Sequence, residues 1–281
     1  MNVEGNRWNR ARRRLAGWGT GVGTLAIVLV MAASPATAAG SHSYRPPYTT
    51  SAGAVYQVLG GGACGTAAAI GAVNWSSTTG VATAGGKTSA KGCPVQVGGV
   101  GGSSYGEYEA EIDVGVPIKI ASTGLHSIVV NWKINAATAS SYTPGTCYLG
   151  ANSTGVWYCE SLAYWEVFAE ASIVDQTNNT VFYGNNSFDA YNESYNQTEW
   201  VFGTYYNGSG SFGFGSFGSA ALYINASLVK GHSYAVVTYI EVISEAALEA
   251  YNAAVKGGSA SSSANMATGP NKATLTSIVV S

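Results

Sequence analysis

Residues 126–135 read HSIVVNWKIN. Ile128, Val130, Trp132 and Ile134 fall on one side of an extended chain, and Val129, Asn131, Lys133 and Asn135 on the other. A period of two with one apolar side is the pattern of a half-buried β-strand. Residues 230–243, KGHSYAVVTYIEVI, open in a similar way to residues 123–134, TGLHSIVVNWKI: a Gly, then His-Ser, then paired valines. Either these are two strands in corresponding positions of one sandwich, or the match is chance among common residues.

The same alternation recurs along the chain. Tyr108, Ala110, Ile112 and Val114 alternate with Glu107, Glu109, Glu111 and Asp113. Ala163, Trp165, Val167, Ala169, Ala171 and Ile173 form the apolar side of a long segment with Glu166 and Glu170 opposite, and residues 273–280 read as a final strand. Asn and Asp cluster between the strand-like segments, as turns require. Only residues 245–256 depart from this pattern. Their Ala, Leu and Glu content, with Ser244 as a cap and Gly257 following, predicts one short helix. The fold class expected is all-β, a β-sandwich of jelly-roll or immunoglobulin-like type with that helix added. Trp132 and Trp165 are its expected central core residues.

Three segments are expected. Residues 1–38 carry five arginines before position 15, an apolar run at 25–33 and the small-residue pattern Ala36-Thr37-Ala38, which predict a signal peptide. An uncleaved anchor and a twin-arginine signal are the other readings of this stretch. Residues 39–105 form an extended lead-in and a Gly/Ala/Ser-rich segment pinned by a disulfide. Residues 106–281 form the sandwich.

Only 10% of the 281 residues are Asp, Glu, Lys or Arg, against about 25% in ordinary soluble domains. Hydroxyls, amides or sugar must therefore cover the surface. Beyond the leader, eight basic residues face fourteen acidic ones, with no basic patch. Phosphate backbones repel such a surface, which excludes nucleic acid as a partner.

The four cysteines, in an exported chain, predict two disulfides, with Cys64–Cys93 and Cys147–Cys159 favoured by sequence order among three possible pairings. Eight N-x-[ST] sequons stand at Asn74, Asn152, Asn178, Asn185, Asn192, Asn196, Asn207 and Asn225, where composition alone gives roughly three. They point to glycosylation; local abundance of Asn, Ser and Thr in turns is the competing explanation. The acidic run Glu107, Glu109, Glu111 and Asp113 has three readings. The first is a solvated or edge strand. The second is a calcium site built from hard oxygen ligands. The third is a catalytic carboxylate pair. Sequence spacing shows no other metal ligand set and no cofactor motif. His42, His126 and His232 have no zinc-like spacing, and no G-x-S-x-G elbow or phosphate loop occurs.

Together these features predict a secreted, glycosylated structural protein of the cell surface, a self-assembling filament or surface-layer subunit and not an enzyme. Its expected partners are copies of itself and glycans, with no membrane span after signal cleavage. The alternative is a secreted carbohydrate-binding module or adhesin, and a secreted hydrolase is the least supported class. Intact-mass analysis of protein from its native source is expected to exceed the peptide mass by attached sugar and to detect no free thiol; an unmodified mass would leave composition to explain the sequons.

Overall fold

A computed structural model describes residues 41–62, 66–91, 104–143, 146–149, 156–201, 204–251, 253–256, 259–267 and 269–281. The described strands are, in chain order, β1 (His42–Tyr44), β2 (Ser51–Gly62), β3 (Thr66–Ser76), β4 (Val81–Lys91), β5 (Ser104–Ile118), β6 (Gly124–Asn135), β7 (Ala137–Thr143), β8 (Thr146–Leu149), β9 (Val156–Asp175), β10 (Thr180–Tyr183), β11 (Phe188–Val201), β12 (Thr204–Phe214), β13 (Gly218–Leu228), β14 (Tyr234–Tyr251), β15 (Ala253–Lys256), β16 (Ser259–Asn265) and β17 (Lys272–Val280). No described residue is helical.

Two large antiparallel sheets pack face to face as a β-sandwich. One follows the order β12-β11-β9-β14-β5-β2, with β10 beside β9. The other follows β13-β6-β17-β4-β16-β7, with β1 on β17 and β3 on β4. A small ladder joins β8 to β15. At 20 and 18 residues, β9 and β14 are far longer than the usual strand of about 5–6.

Alternation decides which side of each strand enters the core. In β6, Ile128, Val130, Trp132 and Ile134 are buried while their neighbours reach solvent, as the sequence pattern predicts. Tyr108, Ile112 and Val114 of β5, Val167 and Ile173 of β9, and Val236, Ile240 and Val242 of β14 meet them from the other sheet. β6 and β14 belong to opposite sheets of the sandwich, but the Gly-His-Ser of 231–233 precedes β14 whereas His126 and Ser127 lie within β6. Their closest link is polar. The indole N–H of Trp132 donates to Thr238 Oγ1 at 2.9 Å, and that hydroxyl donates to the Glu170 carbonyl at 2.8 Å. Both polar groups are thus satisfied inside the core. Trp75 meets Trp132 edge-on at 6.3 Å.

The Gly-rich segment has a packing role that composition did not reveal. Gly71 and Gly86 are direct partners across β3 and β4, and the ring of Tyr108 lies where a Cβ on either would stand. Tyr108 is fully buried, and its hydroxyl donates to the Ala72 carbonyl at 3.1 Å. Next to this socket the interface is made of small residues. Ala90 and Ala260 face Ala246 and Leu248, Thr88 and Ser244 share a hydrogen bond of 3.0 Å, and Ser262 donates to the Tyr164 carbonyl at 2.6 Å. A serine hydroxyl spans the gap only where the sheets stand closer than the usual ~10 Å. Glycine, alanine and serine permit that approach.

Several expectations change. The helix near residues 245–256 is absent: residues 245–251 belong to β14, hydrogen-bonded to β9 throughout and to β5 as far as Leu248, and β15 follows. Pairing on both sides, with Ala246 and Leu248 buried inward, outweighs their modest helix preference. From the 39–105 stretch, β2, β3 and β4 are full members of the two sheets. The acidic strand β5 is not an edge, because β2 and β14 flank it. Trp132 is buried as expected, whereas Trp165 is half-buried and stacks on Phe217 at 5.7 Å.

Gly86→Ala is expected to destabilise the fold by about 1–3 kcal/mol through overpacking against Tyr108. Trp132→Ala is expected to cost about 3–5 kcal/mol. Denaturant unfolding of the two variants measures both; a neutral Gly86→Ala would show that Tyr108 does not occupy this socket.

Candidate functional site

Register places nearly all the acidic side chains on one surface. Residues directly opposite in a ladder project to the same side of a sheet. Glu111 opposes Glu241, which opposes Phe168; Glu107 opposes Glu245, which opposes Tyr164 and in turn Glu193. Following the ladders outward sets Glu107, Glu109, Glu111 and Asp113 of β5, Glu241 and Glu245 of β14, Glu160, Glu166 and Glu170 of β9, and Asp189 and Glu193 of β11 on the face turned away from the core. Among the acidic residues whose side chains are described, only Asp175 is left out. No Lys, Arg or His occurs in β2, β5, β9, β11, β12 or β14.

Several of these groups are crowded and buried. Glu241 and Glu245 are 4% and 5% exposed. Carboxylate oxygens of Glu109, Glu111 and Glu241 lie within 4.8 Å of one another. Burial pushes the Asp113 carboxyl above the ordinary range, against the lowering influence of the neighbouring Glu111. Tyrosines supply donors to the face: Tyr164 donates to Glu166 at 2.6 Å and Tyr239 to Glu170 at 3.0 Å. Tyr164, Tyr191 and Phe214 form a ladder of rings, each 6.2 Å from the next. Three oxygen ligands at this spacing suit a hard divalent cation such as calcium. The sequence run contained Glu109 and Glu111, but Glu241 joins them only through strand pairing. The catalytic-pair reading requires two carboxyls across a cleft in contrasting environments, and these lie side by side on one sheet face.

The outer face of the other sheet has the opposite sign. Lys87 of β4, Lys133 of β6 and Lys272 of β17 are exposed there. A shallow depression of about 360 Å³ beside Lys87 is lined by Thr88, Ser89, Ser141, Ser261, Ser262 and Ser263 together with Ala139.

The one acidic group off the carboxylate face ends β9. Asp175 Oδ2 meets His232 Nδ1 at 2.8 Å, and its Oδ1 accepts from the backbone N–H of Thr177 at 2.9 Å and Asn178 at 3.3 Å. Burial raises the Asp175 carboxyl, but the His232 hydrogen bond, the two backbone donors and the His232 charge outweigh it and hold the group below its usual range. Asn179 takes the left-handed backbone conformation, φ 54°, that this turn requires. His126 is also structural in position: buried, it donates from Nε2 to the Ser122 carbonyl at 2.8 Å.

Asn74, Asn178, Asn185 and Asn225 are exposed, whereas Asn192 and Asn196 are half-buried on β11. Asn207 lies on β12, and Asn152 is outside the described residues. Cys64 and Cys93 are also outside them. Cys147 lies on β8 opposite Val255, and Cys159 on β9 opposite Ala250.

Asp175→Asn tests the turn. A depressed carboxyl adds stability above its unfolded value of about 3.9 and loses it as pH falls through the folded value. The variant is expected to melt below the native protein at neutral pH, with the gap closing as the medium is acidified below the unfolded value of about 3.9. A gap unchanged by pH would remove the charge of Asp175 from the explanation.

No protein-family model, curated protein or solved structure matches the chain.

Proposed function

We propose that the chain is an exported, glycosylated structural protein of the cell surface whose copies join edge to edge. The observation carrying this reading is the composition of β2 and β12, the two outermost strands of the carboxylate-bearing sheet among the described residues. At one edge β2 reads SAGAVYQVLGGG, and at the other β12 reads TYYNGSGSFGF. Neither contains a charge or a proline over 12 and 11 residues. Proteins that stay monomeric guard such edges with Lys, Pro or bulges, since an open row of backbone donors and acceptors recruits another strand. The β2 edge of one copy meeting the β12 edge of the next is a heterologous contact, which propagates as a filament unless rotation closes it into a ring.

The extended segment 41–59 is used within its own chain: β1 pairs with β17 and β2 with β5. Contact between whole edges therefore suits this chain better than an exchanged strand. The exposed positions of Asn74, Asn178, Asn185 and Asn225 and the low charge of the surface are consistent with a sugar-coated exterior protein. Among the described residues, no helix is long and apolar enough to cross a membrane.

The ladder of Tyr164, Tyr191 and Phe214 beside Glu166 and Glu193 favours a second reading. Aromatic rings next to carboxylate acceptors are the ingredients of a sugar-binding platform, so a carbohydrate-binding surface is the alternative.

Electron microscopy of the purified mature chain decides between these. Filaments or sheets are expected, and Gln57→Lys with Ser209→Lys, one charge at each edge, should abolish them while leaving a folded monomer. A native protein that stays monomeric and binds a defined glycan, with binding lost in Phe214→Ala, would establish the alternative instead.

A further inference from the structure

The sequons do not share one environment. Six of the eight have an asparagine side chain among the described residues, and strand register sorts those six. Asn192 and Asn196 stand on β11, which is paired with β9 along its whole length and with β12 from Tyr191 onward. On the same strand Ala190 is buried opposite Val167 in the core. Side chains alternate along a strand, so Asn192, Ser194 and Asn196 project to the same side as Ala190, inward. Their partners on β9 agree. Asn192 opposes Trp165, which packs on the core, while Ser194 and Asn196 oppose the buried Ala163 and Ser161. The Asn192 amide nitrogen Nδ2, the atom that would carry sugar, donates to Ser211 Oγ at 3.4 Å. Ser194 Oγ donates to the same hydroxyl at 3.2 Å.

The other four are placed differently. Asn178 lies in the turn between β9 and β10, with Asn178, Asn179 and Thr180 all exposed. Asn185, Asn186 and Ser187 are all exposed in the connection from β10 to β11. The Asn185 N–H donates to the Tyr223 carbonyl of β13 at 2.7 Å, which ties that connection to the other sheet. Asn74 on β3 and Asn225 on β13 are exposed, while their neighbours Val73 and Ile224 pack into the core. Among the described strands, β3 pairs only with β4 and β13 only with β6.

A glycan needs an acceptor segment that the transferring enzyme can reach, and then room for a bulky, hydrated group. Asn192 and Asn196 offer neither. Their strand is hydrogen-bonded on both sides, and β7 of the other sheet packs against it from within. Sugar there would lose its water between two sheets, in an interior packed too tightly to receive it.

We infer that the folded protein carries sugar at Asn74, Asn178, Asn185 and Asn225 and none at Asn192 or Asn196. The inference rests on the glycoprotein reading above and assigns its sites. Asn74 and Asn225 put sugar on the outer side of the sheet that bears Lys87, Lys133 and Lys272, and Asn178 and Asn185 put it on the turns flanking β10. The carboxylate face stays bare. β2, β5, β9 and β14 contain no asparagine, and those of β11 turn inward. Carboxylates thus keep one outer face wet, and hydroxyls with sugar the other.

Glycopeptide mapping of the folded protein from its native source is the test. Sugar is expected on peptides holding Asn74, Asn178, Asn185 and Asn225, and bare asparagine at 192 and 196. Three variants that remove a sequon without touching its asparagine give a second reading by intact mass. Thr180→Ala and Ser187→Ala, both at exposed positions, should each lose the mass of one glycan. Ser194→Ala, which removes the sequon of Asn192, should lose only its hydroxyl oxygen. Sugar at Asn192 or Asn196, or loss of a glycan in Ser194→Ala, would overturn the inference and leave the glycoprotein reading standing. Sugar on the chain with Asn178 and Asn185 both bare would do the same. A chain without sugar at any site would overturn both.

Discussion

Strand register between β5, β14 and β9 is the constraint on which the rest of the molecule depends. Along each of these strands one side is apolar or small and the other is rich in carboxylates. A slip of one residue in β5 would turn Glu107, Glu109, Glu111 and Asp113 into the core and put Tyr108, Ile112 and Val114 outside. Burying four carboxyl groups without cations is prohibitive. Two further contacts support the same register. Trp132 reaches Thr238 across the interface, and the Tyr108 ring fills the space left by Gly71 and Gly86. Neither survives a shift that moves Thr238 or Tyr108 to the opposite side of its sheet.

Segregation of charge follows from this arrangement. Because the chain has few charged residues and the long central strands alternate so regularly, its acids collect on one sheet face, while Lys87, Lys133 and Lys272 lie on the outer face of the other sheet. Crowding brings the carboxylate oxygens of Glu109, Glu111 and Glu241 within 4.8 Å of one another. The same sheet ends in two uncharged edges. Repulsion between like faces disfavours stacking face on face, whereas β2 and β12 carry no charged residue. For the proposed assembly, the plane of the sheet is the direction least opposed by charge.

Much of the sandwich was legible from period two alone. The inward set of β6, the core role of Trp132 and the apolar side of β9 could be read locally, because each depends on neighbours two residues apart. Residues 245–251 could not be read this way. Their local preference is helical, and only the flanking strands, more than eighty residues away in β9 and over a hundred in β5, make them extended. The Gly-rich stretch was equally opaque, since Gly71 and Gly86 are explained by a tyrosine on another sheet. At the carboxylate face, the sequence exposed the run on β5 but not its company. Glu241 is 130 residues from Glu111, and nothing short of pairing brings them together. The Asp175–His232 pair was missed for the same reason, although Asp175 before Gln-Thr-Asn-Asn does carry a local turn signal.

The most direct test of the account is a set of cross-strand nuclear Overhauser contacts between β5 and β14 in the mature chain. Backbone contacts that place Glu111 opposite Glu241 and Asp113 opposite Tyr239 are predicted. Contacts placing Glu111 opposite Ile240 or Val242 would mean a register shifted by one, with the carboxylates of β5 turned inward, and would contradict both the core and the acidic face described here.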